Sequence, residues 1–172
     1  QALADEVDKL GTWAAGEPVG EREVLALAAP SGEEPLYVLT DALGTRDGSS
    51  AVALSEAIFA KDDRSRRDVA ARMAGAMTGH VTRLATLKRF NRRGVGSKEA
   101  AAELGMHPFR AQKLSEQAEG FSAEELHDAV VRLAELDGAL KGQSRLAPDL
   151  EVQRALVDLT VGRERRASRK SR

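Results

Sequence analysis

Residues 68–87 have the sequence DVAARMAGAMTGHVTRLATL, which carries the strongest structural signal in the chain. Apolar and small side chains recur there at steps of three and four positions, the spacing of one face of an α-helix. The members of this stripe are Val69, Met73, Ala76, Met77, His80, Val81, Leu84 and Leu87. The pattern continues to the break at Gly94 and Gly96, so it predicts a helix of about six turns.

Shorter helices are predicted before the long one, because apolar residues again repeat at helical spacing and glycine or proline ends most of the segments. They span residues 2–15, 21–28, 36–43 and 49–60. The polar run 61–67 then separates the last of them from the long helix. We therefore predict a domain boundary near residue 62, with a small helical domain at 1–62 and a larger helical bundle at 63–161.

The segments after the long helix contain start and stop signals. Gly105 ends a short helix, and Pro108 opens the next one. A backbone N–H in the first turn has no acceptor within the helix, so proline, which lacks this group, loses no hydrogen bond there. Ser122 and Glu125 have the spacing of a capping box, and a last helix is predicted from about Pro148. No segment shows the strict alternation of a strand, so the predicted fold class is all-α.

Composition argues against most kinds of catalytic site. The chain has no cysteine, which removes disulfides, thiolate zinc sites and cysteine nucleophiles. The three histidines, His80, His107 and His127, lie in different predicted helices and turns and make a poor metal-ligand set. Because no phosphate-binding loop or catalytic triad order is present either, we expect no catalytic residue, no cofactor and no metal. His80 is interpreted as a core or interface residue.

The sequence also lacks the features of membrane proteins. It contains no run of about 20 apolar residues, and its first residues lack the order of a signal peptide. We therefore expect no membrane partner and a cytoplasmic location.

Residues 97–114, SKEAAAELGMHPFRAQKL, fit a helix-turn-helix with Gly105 in the turn. The side chains that would face a DNA groove are His107, Pro108, Phe109, Gln112 and Lys113. Glutamine and lysine can contact base edges or phosphates, whereas proline and phenylalanine at the start of a recognition helix suit protein packing better. A transcription regulator that binds DNA through these residues is therefore the alternative function.

Basic residues are concentrated in two places. Residues 61–93 contain ten Lys or Arg against three Asp, and residues 162–172 carry a charge of +5 while the remainder of the chain carries −6. The candidate DNA contacts in the first stretch are Arg83, Lys88, Arg89, Arg92 and Arg93. A solvated helix face is the alternative there. The second stretch is predicted to be a disordered, solvated tail, with a weak nucleic-acid contact as its alternative.

The order of several motifs resembles the delta-subunit family of bacterial DNA polymerase III clamp loaders. The motifs similar to the family's lid module are DEVDKL at 5–10, EREVLAL at 21–27 and LYVLTDAL at 36–43. Those similar to its collar domain are SKEAAAELGMHPF at 97–109, AQKL at 111–114, FSAEEL at 121–126, LAELDGALKG at 133–142 and DLE at 149–151. The resemblance covers nearly the whole chain except the basic tail.

This resemblance implies a partial, helical AAA+-type lid module at 1–62, followed by a collar bundle at 63–161 that packs with the collars of other clamp-loader subunits. It also implies primer-template DNA as a partner in the assembled complex, and contact with the sliding clamp through an amino-terminal domain that is missing here. The delta subunit is not the ATP-hydrolysing member of the family, so no catalytic residue is carried over. The residues that the collar would use as core or interface are Pro108, Phe109, Leu114, Leu133 and Leu140.

Overall fold

The computed structural model describes residues 34–161, which contain helices and turns but no strand. The helices are α1 (Glu34–Gly44), α2 (Gly48–Lys61), α3 (Arg66–Arg92), α4 (Ser97–Glu103), α5 (Pro108–Glu119), α6 (Ala123–Gly138) and α7 (Pro148–Thr160). The all-α prediction is thereby confirmed for this range. The helices predicted at 2–15 and 21–28 and the tail at 162–172 lie outside the described residues.

Helix α3 is the centre of the bundle, since α5, α6 and α7 all pack against it. Ser65 is the N-cap of this helix, since its side chain accepts a hydrogen bond from the backbone N–H of Asp68. The predicted stripe faces inward, with Met73, Met77 and Leu84 completely buried. Burial of a side chain of this size stabilises the fold by about 1.5–3 kcal/mol, so burial of this stripe makes a large contribution to the stability of the bundle.

The predicted start signals of the later helices are confirmed. Ser122 and Glu125 form a capping box, in which each side chain accepts a hydrogen bond from the other residue's backbone N–H. Pro108 and Pro148 occupy the first turns of α5 and α7. Gly105 has a φ of 61°, a left-handed conformation that favours glycine and lets the chain turn between α4 and α5.

One feature that the sequence pattern does not predict is a π-helical segment, Ala139–Gln143, which continues α6. Gly142 within it has a φ of 105°, which ends the helical path. The chain then turns, and the Ser144 hydroxyl donates a hydrogen bond of 2.6 Å to the buried carboxylate of Glu151 in α7. This bond fixes the connection through which α7 packs against α6.

The compact unit that contains the bundle begins at Val38. Helix α2 packs against α7, and Arg46, between α1 and α2, donates a hydrogen bond to the carbonyl of Gly120. These contacts join residues 38–61 to the later helices, and the domain boundary near residue 62 stays a prediction. The assignment of a lid module and a collar domain stays a prediction.

Candidate functional site

The three leucines predicted as core or interface residues lie in the core of the bundle. Leu114 in α5, Leu133 in α6 and Leu140 in the π-helical segment are each at most 7% exposed. They hold these helices on α3, and their side chains are not available to another protein. Helical spacing alone cannot separate an apolar face that packs within the chain from one that meets a partner.

Pro108 and Phe109 lie on the surface at the start of α5. The side chain of Phe109 is 49% exposed, so it does not belong to the core of this bundle. The turn before it is fixed by His107, whose Nδ1 atom accepts a hydrogen bond of 3.3 Å from the backbone N–H of Phe109. An exposed phenylalanine on a capped helix end is a suitable anchor for a protein partner, and the interface role of these two residues stays a prediction.

The two polar residues that could contact bases in the helix-turn-helix interpretation are engaged with carboxylates. Gln112 donates a hydrogen bond of 3.2 Å to Glu116 in the same helix. The Nζ atom of Lys113 lies 3.2 Å from a carboxylate oxygen of Asp41 in α1. Reading a base edge with either side chain would require these bonds to be broken, which makes α5 a poor recognition helix.

Lys88, one of the candidate DNA contacts, takes part in an ion pair within the bundle. Its Nζ atom lies 2.9 Å from Glu119 at the end of α5, and its side chain is only 16% exposed. Asn91 donates a hydrogen bond of 2.7 Å to the other oxygen of Glu119. The hydrogen bonds from Lys88 and then Asn91 lower the pKa of Glu119. Lys88 therefore serves to join α3 to α5.

The other candidate DNA contacts are exposed but do not share one face. Arg83 lies about 120° from Arg89 around the axis of α3, at about 100° per residue. Arg89, Arg92 and Arg93 instead gather at the carboxyl end of α3, where all three side chains are exposed. We call these three residues the basic end of α3. Helix carbonyls at this end favour positive charge, and three exposed guanidinium groups are able to contact phosphates.

A buried polar cluster lies where α1, α3 and α5 meet. Gln117 donates a hydrogen bond of 2.7 Å to the same Asp41 oxygen that Lys113 approaches. The Nε2 atom of His80 and the Oε1 atom of Gln117 are buried, without a hydrogen-bond partner among residues 34–161. Both atoms face Gly44, where an added Cβ would lie 2.7 Å from Nε2 of His80 and closer still to Gln117.

Burial lowers the pKa of His80 from 6.5 to about 4. The negative charge of Asp41 opposes this shift, and the positive charges of Arg83 and Arg110 add to it. The imidazole is therefore neutral at pH 7, as its predicted role as a core residue requires. One sequence signal indicates that Gln117 belongs to this cluster, because Gln117 is a polar residue on the apolar stripe of Ala111, Leu114 and Ala118.

The part of the chain that the structure describes contains neither a metal-binding cluster nor a membrane-spanning helix. No group of three or more His, Asp or Glu side chains there could hold a metal ion. In the same range, no helix combines the length and the apolar character needed to cross a membrane.

Comparisons with known proteins identify relatives of this bundle. A family model for the C-terminal domain of the DNA polymerase III delta subunit matches residues 33–160, a range that extends across residue 62. The DNA polymerase III subunit delta of Bacillus subtilis strain 168 is 25% identical over 146 residues, which are 81% of this chain and 39% of that protein.

A solved structure shares the fold. The DNA clamp loader delta protein of Bacillus subtilis matches with a TM-score of 0.65 and 25% identity, over 91% of this chain and 44% of that one. The chain thus spans about two fifths of the length of these relatives. These comparisons give no support to a transcription regulator that binds DNA through residues 97–114.

Proposed function

Because the chain belongs to the family defined by the C-terminal domain of the DNA polymerase III delta subunit, we propose that it is a non-catalytic assembly element of a bacterial clamp loader. The observation that carries the proposal is the family match over residues 33–160, which includes nearly every described residue. The shared fold of a clamp loader delta protein supports it. In this role the helical bundle is the collar that holds the loader together, and the lid precedes it.

The proposed partners follow from that role. Other clamp-loader subunits bind the collar, and primer-template DNA lies near it in the assembled complex. Contact with the sliding clamp belongs to the part of the relatives' length that this chain does not match. A loader of this kind works on replicating DNA in the cytoplasm.

Phe109 is the proposed anchor of the subunit interface. Large aromatic side chains at the centre of an interface commonly contribute most of its binding energy. We expect Phe109→Ser to weaken binding to the other clamp-loader subunits by about tenfold or more, since one well-placed anchor is worth 1–2 kcal/mol. Biolayer interferometry with the immobilised subunits would measure this change.

Leu146→Ser is the matched control for this measurement, because Leu146 is an equally exposed apolar residue, at 49%, in the connection before α7. We expect it to bind the subunits as the unchanged chain does. An equal loss for both variants would mean that general surface hydrophobicity drives the association. A loss for Leu146→Ser alone would place the interface beside α7 and contradict a role for Phe109.

The basic end of α3 is the proposed DNA contact. Each phosphate contact contributes about 0.9 to the slope of log K against log salt for duplex DNA. Replacing Arg89, Arg92 and Arg93 together by serine should therefore lower this slope by about 2–3 and weaken binding without changing any sequence preference. Fluorescence anisotropy of a labelled primer-template, titrated at several salt concentrations with the assembled loader, measures both quantities.

A control with the same change of charge is the replacement of Lys61, Arg64 and Arg67 by serine, because all three are exposed at the other end of α3. The salt slope should then stay close to that of the unchanged loader. Equal slopes for the two triple variants would show that net charge rather than position governs DNA binding, and would contradict the proposed contact at the basic end of α3.

A further inference from the structure

Helix α4 has few attachments to the rest of the bundle. It contains seven residues, and an isolated helix of that length is unstable in water. Within residues 34–161 it packs extensively on α5 alone. Its N-cap residue is Gly96, so no side chain caps its first turn. The stability of α4 therefore depends on its contact with α5.

The contact between α4 and α5 buries little apolar surface on the side of α4. The described side chains of α4 that are buried are those of Ala100 and Ala101. The larger apolar residues just after the helix, Leu104 and Met106, are only half-buried. A methyl group removes much less surface from water than a leucine or methionine side chain, so its burial stabilises a contact less. The packing of α4 is therefore weak compared with that of α3.

Polar contacts do not compensate for this weak packing. Among residues 34–161, no hydrogen bond or ion pair joins the side chains of Lys98, Glu99 or Glu103 to another helix. The last turn of α5 is different, because Glu119 accepts hydrogen bonds from Lys88 and Asn91 in α3. The neighbouring helix is thus tied to α3 by side chains, whereas α4 is not.

Glycines in the left-handed conformation lie on both sides of α4. Gly94 before the helix has a φ of 72°, and Gly105 after it has a φ of 61°. Both lie in open space, where an added Cβ would meet nothing within 4 Å. Because glycine changes its backbone angles at little cost and no neighbour blocks the movement, both positions are suitable hinges.

We propose that α4 is a hinged flap, which opens away from α5 about Gly94 and Gly105 while the other helices stay folded. Opening uncovers the part of α5 on which α4 packs. Phe109 lies at the start of α5, directly after the turn that Gly105 forms, so the surface beside the proposed subunit anchor changes with the state of the flap. This consequence for Phe109 rests on the proposed function, whereas the opening itself does not.

Hydrogen exchange of the backbone amides in the full chain, followed by NMR spectroscopy at increasing urea concentrations, tests this proposal. The amides of residues 101–104 donate hydrogen bonds within α4, so they exchange only when α4 opens. We expect their protection factors to lie about 100-fold or more below those of Met77, Val81 and Leu84 in α3. They should also depend little on urea, because a local opening exposes little surface.

The last turn of α5, residues 116–119, is the matched control, since it is also a helix end but is tied to α3 through Glu119. We expect its amides to be more strongly protected than those of residues 101–104. The variant Ile58→Val, at a buried position in α2, gives a second measurement. It should lower the protection of the α3 amides by about two- to tenfold. The α4 amides should not change, because residue 58 has the same surroundings whether the flap is closed or open.

Equal protection and equal urea dependence for residues 101–104 and the α3 amides would overturn the proposal. A loss of protection in α4 that matches the loss in α3 for Ile58→Val would overturn it too, because α4 would then open only with the whole bundle. Exchange of residues 116–119 together with α4 would show that the opening unit includes α5, which also contradicts a flap on α5. These results concern the chain alone, so they leave its assembly with other subunits to the binding measurement with Phe109→Ser.

Discussion

Gly44→Ala is expected to lower the free energy of unfolding by about 3 kcal/mol, because it places a methyl group in the buried polar cluster. The new Cβ would lie 2.7 Å from Nε2 of His80 and would also collide with Gln117. Since Gln117 is held by Asp41 and only 8% exposed, it cannot move away without breaking a buried hydrogen bond. Urea unfolding followed by circular dichroism would measure the loss.

Gly75→Ala is the matched control for this substitution. Gly75 lies on the exposed side of α3, and an added Cβ there would meet nothing within 4 Å. Alanine in a helix interior is more stable than glycine by about 0.8–1 kcal/mol, so we expect Gly75→Ala to stabilise the protein. If both variants changed stability in the same direction, helix propensity would govern Gly44 and the close packing around it would be of little importance.

The second large effect is a loss of stability as the pH falls, caused by His80. Its pKa is about 4 in the folded protein and about 6.5 when unfolded. Between these values the unfolded chain binds more protons, so the free energy of unfolding decreases as the pH is lowered from 6.5 to 4. The difference between the two pKa values corresponds to a loss of about 3 kcal/mol in the free energy of unfolding. This loss is nearly complete at pH 4 and absent above pH 7.

Replacement of His80 by glutamine isolates this contribution, because glutamine does not titrate. Urea unfolding at a series of pH values should show a shallower pH dependence for His80→Gln than for the unchanged protein. The negative charge of Asp41 also acts on His80, so the two curves are compared at each pH. His127→Gln is the control, since His127 is exposed. A pH dependence that survives His80→Gln unchanged would contradict the assigned role.

Local sequence signals predicted the helices and much of the core. The stripe from Val69 to Leu87 is buried except at Ala76, which is half-buried, because the spacing of apolar residues and the geometry of the helix have the same period. The capping box at Ser122 is formed because both of its partners lie within four residues of each other. Features of this kind need no information about distant parts of the chain.

Long-range contacts could not be predicted in this way. The ion pair between Lys88 and Glu119 joins residues 31 positions apart, and no local pattern distinguishes Lys88 from the exposed arginines near it. The exposure of single apolar side chains could not be predicted either. Phe109 lies on the surface while Leu133 is buried, although both are large apolar residues. Which apolar side chains remain exposed depends on the packing of whole helices, and the candidate interface depends on that packing too.

The proposed function requires this chain to assemble with other clamp-loader subunits. Size-exclusion chromatography with light scattering, applied to the chain mixed with those subunits from the same organism, measures this association directly, with labelled duplex DNA run in parallel. A stable complex whose mass includes this chain, together with weak and non-selective DNA binding by the chain alone, is the predicted result. Selective duplex binding without association with any of those subunits would contradict it.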